Sequence, residues 1–235
     1  NYLRKTPGLY PDRLEELREE TIIFQAGQWK SLWVDVEVPR EAEPGDYPIT
    51  ILFEHPESGK RIGSVETEVT ILPPVLPVQR FPRTEWFYVD CLADYYEVPV
   101  FSKEHWRIME NFVGAAAKRG INMILTPQFT PPLDTAVGKE RTTVQLVDVE
   151  WTESGYSFDF SKLIRWVEMC KRQGILYFEM SHLFSQWGAV AAPKVMGKKE
   201  GREVPLFGWN TPAVGGEYTV FLHAYLPKLR QVLQE

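Results

Sequence analysis

The chain has 235 residues, 44% of them hydrophobic and 25% charged, with a formal net charge of -6 and a pI near 5.4. That is the composition of a globular protein able to bury a sizeable core, and the acidic balance argues against a nucleic-acid partner. No apolar run reaches the length of about 18 residues that a membrane-spanning helix needs, so no membrane partner is expected.

Residues 1–20 hold Pro7, Pro11 and the charged stretch DRLEELREE, which reads as a solvated connector. From Thr21 to about Leu72 the pattern has a period of two. TIIFQA, SLWVDVEVP, DYPITILFE and SVETEVTIL read as antiparallel strands punctuated by PGDY and ESGK. In the second of these, Leu32, Val34, Val36 and Val38 alternate with Trp33, Asp35 and Glu37. An immunoglobulin-like sandwich has about seven strands. Residues 1–76 are therefore expected to form an incomplete β-sandwich module with a structural or docking role. PPVLPVQRFP, residues 73–82, lacks periodicity and reads as a linker.

Residues 77–235 switch to alternating strand and helix. EWFYVD, residues 85–90, reads as a strand ending at Asp90, followed by a long loop, CLADYYEVPVF. Ser102 is the expected N-cap of a helix with Trp106, Met109, Phe112, Val113 and Ala116 on one apolar face. Lys118, Arg119 and Gly120 close it. The strand INMIL follows and runs into TPQFTPPLDT. TVQLVDVEW and GYSFDF then read as a hairpin turning at Glu153–Gly155. SKLIRWVEMCKR is a second amphipathic helix through Leu163, Ile164, Val167 and Cys170. After Gly174 the run ILYFEM suits a strand covered on both faces. MGKKEGRE reads as a loop, and a last helix begins near Glu217, with Pro227 expected to kink or divide it.

KRGINMIL is echoed in KRQGILYF, the mark of a repeated β/α unit. Three such units make the first part of a (β/α)8 TIM-like barrel, and closure requires eight strands. An open sheet would leave an unpaired edge. The fold class expected is thus a β-sandwich module followed by α/β, a truncated barrel. A homo-oligomer or a separate barrel half is the candidate protein partner.

Polar side chains gather where the strands end, which is where α/β barrels meet their substrates. Glu179, Ser181, His182, Ser185, Gln186 and Trp187 arrive together behind the third strand. Hydroxyl, amide, imidazole and indole groups supply directional hydrogen bonds and a flat apolar face, as a sugar ring requires. Each candidate also has a structural reading. His182 and Trp187 would finish the rim, Asp90 would form an ion pair or cap a loop, and Gln128 and Asp134 would fix turns. Asn122 would face the interior or bond backbone, Glu179 would be a buried acid paired with an arginine, and Trp209 would be a core aromatic. The four histidines (55, 105, 182 and 223) lack ligand-like spacing, and Cys91 and Cys170 read as buried thiols. No metal or cofactor is expected.

The segments WFYVDCLADYYEVPVFSKEHW, INMILTPQFTPPLDT, YSFDFSKLIRWV and YFEMSHLFSQWGA resemble the bacterial glycoside hydrolases of the β-N-acetylgalactosaminidase type, family 123. The resemblance runs from about Pro7 to the end. It implies a β-sandwich before a (β/α)8 barrel and a substrate-assisted, retaining reaction in which the sugar's 2-acetamido oxygen attacks its own anomeric carbon. An adjacent Asp-Glu pair then does the protein's part, the Asp orienting the acetamido group and the Glu protonating the leaving oxygen. The resemblance places that pair at the end of the fourth barrel strand. The adjacent acids here, Glu15–Glu16 and Glu19–Glu20, lie in the N-terminal charged segment instead. The catalytic pair is therefore expected beyond residue 235. What remains is a substrate-cradling half, with Asp90, Gln128, Glu179, His182, Trp187 and Trp209 as candidate contacts to an N-acetylhexosamine glycan, His182 beside Trp187 first among them. The alternative is a non-catalytic carbohydrate-binding or structural protein.

Overall fold

The computed structural model describes residues 17, 21–23, 26–27, 30–78, 80–186 and 188–234. The chain divides into two compact units, Asn1–Val78 and Gln79–Glu235.

In the first unit, β1 (Gly45–Glu54) and β2 (Arg61–Ile71) form an antiparallel hairpin. Its register sets Tyr47 opposite Val69 and Ile51 opposite Val65, so most of the apolar residues share one face, Leu52 excepted. Thr50, Glu66 and Glu68 lie on the other. Of the four strands expected, these two form. The SLWVDVEVP segment carries no ladder, and Leu32, Val34, Val36 and Val38 are all exposed. Alternation favours an extended chain, but a strand exists only once a neighbour takes up its backbone groups. The described part of TIIFQA is likewise unpaired, and the DRLEELREE stretch falls almost wholly outside the described residues.

The second unit is built on a short parallel sheet. Thr84 bridges Met123, and β3 (Met123–Thr126) pairs in parallel with β6 (Tyr177–Met180). Helices α2 (Lys103–Lys118) and α3 (Ser161–Arg172) follow the sequence expectation closely. The Ser102 hydroxyl accepts the His105 backbone N–H and caps α2. The buried stripes are turned slightly from those read off the sequence. Phe112 and Ile164 are exposed, while His105, Ile108, Trp166 and Met169 are buried in their place. The Trp166 indole donates to Thr126 Oγ1 at 3.3 Å, so Ile124 and Thr126 look toward α3. Strand alternation then turns Leu125 and its register partner Glu179 to the opposite face. The strand is open where it begins: Leu176 is 57% and Tyr177 39% exposed, so ILYFEM is not covered on both sides.

The expected first strand is a second correction. Only Thr84 pairs, and at Val89 the chain enters a helix, α1 (Val89–Tyr95). Val89, Leu92 and Ala93 are buried at helical spacing, and Asp90 sits in the positively polarised first turn. Asp90 is thus a helix residue rather than the last residue of a strand.

A four-stranded sheet lies beside this core in the order β5-β4-β7-β8. The hairpin of β4 (Asp148–Thr152) and β5 (Gly155–Asp159) matches the sequence reading. MGKKEGRE, read as a loop, instead forms most of a second hairpin, β7 (Val195–Lys199) and β8 (Arg202–Phe207). Its turn residues Glu200 and Gly201 both adopt positive φ, 52° and 75°, as a tight hairpin turn demands. Gly197 is there for closeness: a Cβ would stand 2.4 Å from the Leu206 side chain and 3.0 Å from the Val149 carbonyl.

Finally α4 (Gly216–Gln234) passes through Pro227 as one helix and is not divided. Its buried Tyr218, Phe221 and Tyr225 pack on Phe129, Phe158 and Phe207, with ring centroids 4.9–5.8 Å apart. Two of its hydroxyls reach the loops behind the parallel strands. Tyr218 donates to the Leu183 carbonyl at 2.6 Å and Tyr225 to Gln128 Oε1 at 2.7 Å. This helix fixes the loops that carry the site.

Candidate functional site

The segments following Thr84, β3 and β6 converge at the carboxyl end of the parallel sheet. There they form two clusters of different character.

The first is closed. Asp90, 3% exposed, receives a two-pronged contact from Arg141, Nε to Oδ2 at 2.6 Å and Nη2 to Oδ1 at 3.0 Å. The same guanidinium donates to the Leu133 carbonyl at 2.8 Å and lies 4.1 Å from the centre of the Tyr88 ring. Charge-assisted pairing of this geometry neutralises an acid that burial alone would penalise. His105 supports the cluster from α2. Its Nδ1 accepts the Phe101 N–H at 3.0 Å, which fixes the tautomer, and its Nε2 donates to the Val89 carbonyl at 2.9 Å. Burial holds this imidazole below its usual pKa, against the pull of the Val89 bond and the Asp90 charge. Gln128 is closed off too, in a separate network. Its amide donates to the Ser181 carbonyl at 2.5 Å and accepts from Tyr225, and at 2% exposure it holds loops together instead of facing a ligand. Asn122 bonds backbone, accepting from Arg83 N and donating to Phe81 O.

The second cluster is open. The Trp86 indole donates to Glu179 Oε2 at 2.8 Å, and its ring meets His182 edge-to-face with centroids 5.5 Å apart. Trp86 is 44% exposed, His182 is exposed and Glu179 half-buried. The arginine expected for Glu179 is found on Asp90, and the Glu179 carboxylate is held by an indole. Asp134 stands exposed, its N–H bonded to Gln186 Oε1 at 3.3 Å. Trp209 shares a cleft with Arg141 of the closed cluster. It is half-buried, donates to the Lys139 carbonyl at 2.8 Å and lines that cleft with Thr130, Pro132, Lys139 and Lys194. Trp187 lies outside the described residues. Cys91 is exposed, contrary to expectation, with its thiol donating to the Tyr88 carbonyl, whereas Cys170 is buried.

Sequence reading missed Arg141, Tyr88 and Trp86. Arg141 stands in the GKERTT stretch with no pattern around it, and its partner is 51 residues away. Trp86 is hidden inside an apolar run, whereas its partner Glu179 stands out as a lone carboxylate in one.

Residues 86–235 match the glycoside hydrolase 123 catalytic domain. The chain belongs to the glycoside hydrolase 123 family. Among solved structures it is similar to a family 123 glycoside hydrolase from Clostridium perfringens, studied for glycolipid glycan hydrolysis. The two share 16% identity with a TM-score of 0.59, over 83% of this chain and 35% of that one, and the likeness is one of fold. The chain thus spans about a third of the length of that relative. No curated protein matches by sequence.

Proposed function

We infer that this chain supplies the sugar-cradling part of a glycoside hydrolase acting on terminal N-acetylhexosamine, with N-acetylgalactosamine the preferred residue. The observation that carries this reading is the open Trp86–Glu179–His182 cluster at the carboxyl end of a parallel sheet, within the segment that matches the family's catalytic domain. An exposed indole offers a flat apolar face to a pyranose ring, and the carboxylate and imidazole beside it accept or donate to ring hydroxyls. The side-by-side parallel order of Thr84, β3 and β6 fits the opening strands of a (β/α)8 barrel, with the residues behind them at its mouth.

The reaction proposed for the whole enzyme is substrate-assisted and retaining, its acetamido-orienting Asp and proton-donating Glu coming from outside these 235 residues. The sequence holds two adjacent acid pairs, both between Glu15 and Glu20, and neither follows an apolar strand. The test has two arms on the purified 235-residue chain. Titration with methyl N-acetyl-β-galactosaminide should give saturable binding that Trp86→Ala abolishes. A chromogenic N-acetyl-β-galactosaminide should not be turned over. Robust turnover overturns the placement of the acid pair, and binding indifferent to Trp86→Ala overturns the sugar site.

A further inference from the structure

Arg141 also lines a narrow cleft that shares no residue with the Trp86–Glu179–His182 cluster. Its other walls include Thr130, Pro132, Lys139, Lys194 and Trp209. About 30 Å³ of it is open to the centres of water-sized groups. That is room for about two such groups and too little for a pyranose ring. The walls are fixed. The Gly208 N–H donates to Thr211 Oγ1 at 3.3 Å and the Thr211 N–H to the Gly208 carbonyl at 2.8 Å, a turn that presents Trp209. The Trp209 indole then holds the Lys139 carbonyl at 2.8 Å. On its other side the Lys139 N–H donates to the Ala136 carbonyl at 2.9 Å, across a turn in which Gly138 takes φ 74°. The Lys139 backbone is thus tied at both ends, while its ammonium makes no ion pair with any described residue.

Charge selects what such a cleft can take. Arg141 is matched by Asp90, and Lys194 by Glu140. Lys139 is left over, one uncompensated cation in a chain of net charge -6. The Asp134 carboxylate, which bears on the Tyr88 phenol, is not part of the lining. Arg141 also keeps donors in reserve. Of the five N–H groups of a guanidinium, two go to Asp90 and one to the Leu133 carbonyl. We propose that the cleft takes one monoanionic group of the glycan, a carboxylate or a sulfate ester, with Lys139 as its counter-ion and Arg141 contributing N–H donors. Two oxygens of either group match the room available, and one negative charge matches the one cation left over. This rests on the sugar-site reading above and narrows the substrate class to acidic glycans.

The test is calorimetric titration of the 235-residue chain, and of Lys139→Gln, with methyl N-acetyl-β-galactosaminide, its 4- and 6-sulfates, and the disaccharide in which N-acetylgalactosamine is β-linked to glucuronic acid. At least one acidic probe should bind wild type about tenfold more tightly than the neutral sugar at low salt. That advantage should shrink as salt is raised and vanish in Lys139→Gln. A preferred sulfate identifies the ester as the group taken, and a preferred disaccharide the carboxylate. Acidic probes that bind no better than the neutral sugar, or an advantage that survives Lys139→Gln, overturn the proposal. The salt series on wild type decides the matter even where the variant folds poorly. If the neutral sugar binds through Trp86 and acidic groups add nothing, this proposal fails and the sugar site stands. If acidic probes bind through Lys139 and are indifferent to Trp86→Ala, the sugar site falls and the cleft stands. Absence of binding by every probe overturns both.

Discussion

Asp90 and Glu179 are both acids behind parallel strands, and both suggest sugar contact in the sequence, yet the molecule treats them oppositely. Asp90 is sealed by a bidentate arginine that lies over Tyr88, with His105 bonded to the carbonyl of the neighbouring Val89. Glu179 touches an indole and keeps a side open. An acid whose oxygens are both taken by a fixed guanidinium has little left for a ligand. An acid held by one neutral donor still has lone pairs to offer. Position at a strand end marks the neighbourhood of a site, and the partner decides whether a residue builds that site or uses it.

The sharpest way to break this contrast is Asp90→Ala. It strands Arg141, whose side chain is 18% exposed, without its counter-charge, and should cost about 3–5 kcal/mol in urea unfolding. A loss below about 1 kcal/mol would move Asp90 out of the scaffold. Tyr225→Phe removes the buried donor to Gln128 and should cost about 1–3 kcal/mol while leaving sugar affinity unchanged. A change in affinity at unchanged stability would return Gln128 to the binding surface.

The closed half should also respond to pH. Because burial lowers the His105 pKa in the fold, the unfolded chain binds a proton more readily. The stability involved is present above the unfolded value of about 6.5 and drains away as pH falls below it. The urea midpoint should therefore decline from about pH 7 to about pH 5, and less steeply in His105→Gln. Equal slopes would remove His105 from the account. The smallest effect on stability is expected from Glu179→Gln, within about 0.5 kcal/mol, since an amide oxygen can still accept from the Trp86 indole, although sugar binding should weaken measurably. Destabilisation by several kcal/mol there would make the two acids alike.

The helices α2 and α3 are legible in the sequence because their information is local: a cap at Ser102, apolar residues at spacings of three and four, and basic residues at the ends. The β4–β5 hairpin is legible for the same reason. The β7–β8 hairpin is not, since Gly197, Lys198 and Lys199 look like loop residues until Leu206 is seen packed where a Cβ would stand. EWFYVD reads as a strand by composition, but Val89, Leu92 and Ala93 find burial as one helical turn. At the site, residue types point to the right loops and cannot assign roles. Asp90 meets Arg141 across 51 residues and Glu179 meets Trp86 across 93, and no local pattern encodes such pairings.

The most direct test of the division between builder and user is a heteronuclear NMR titration of the 235-residue chain with N-acetylgalactosamine, following the Trp86 indole N–H, the His182 ring and the Arg141 Nε–H. The account predicts saturable shifts at Trp86 and His182 with the Arg141 signal far less affected. Shifts led by Arg141, with Trp86 and His182 silent, would contradict it.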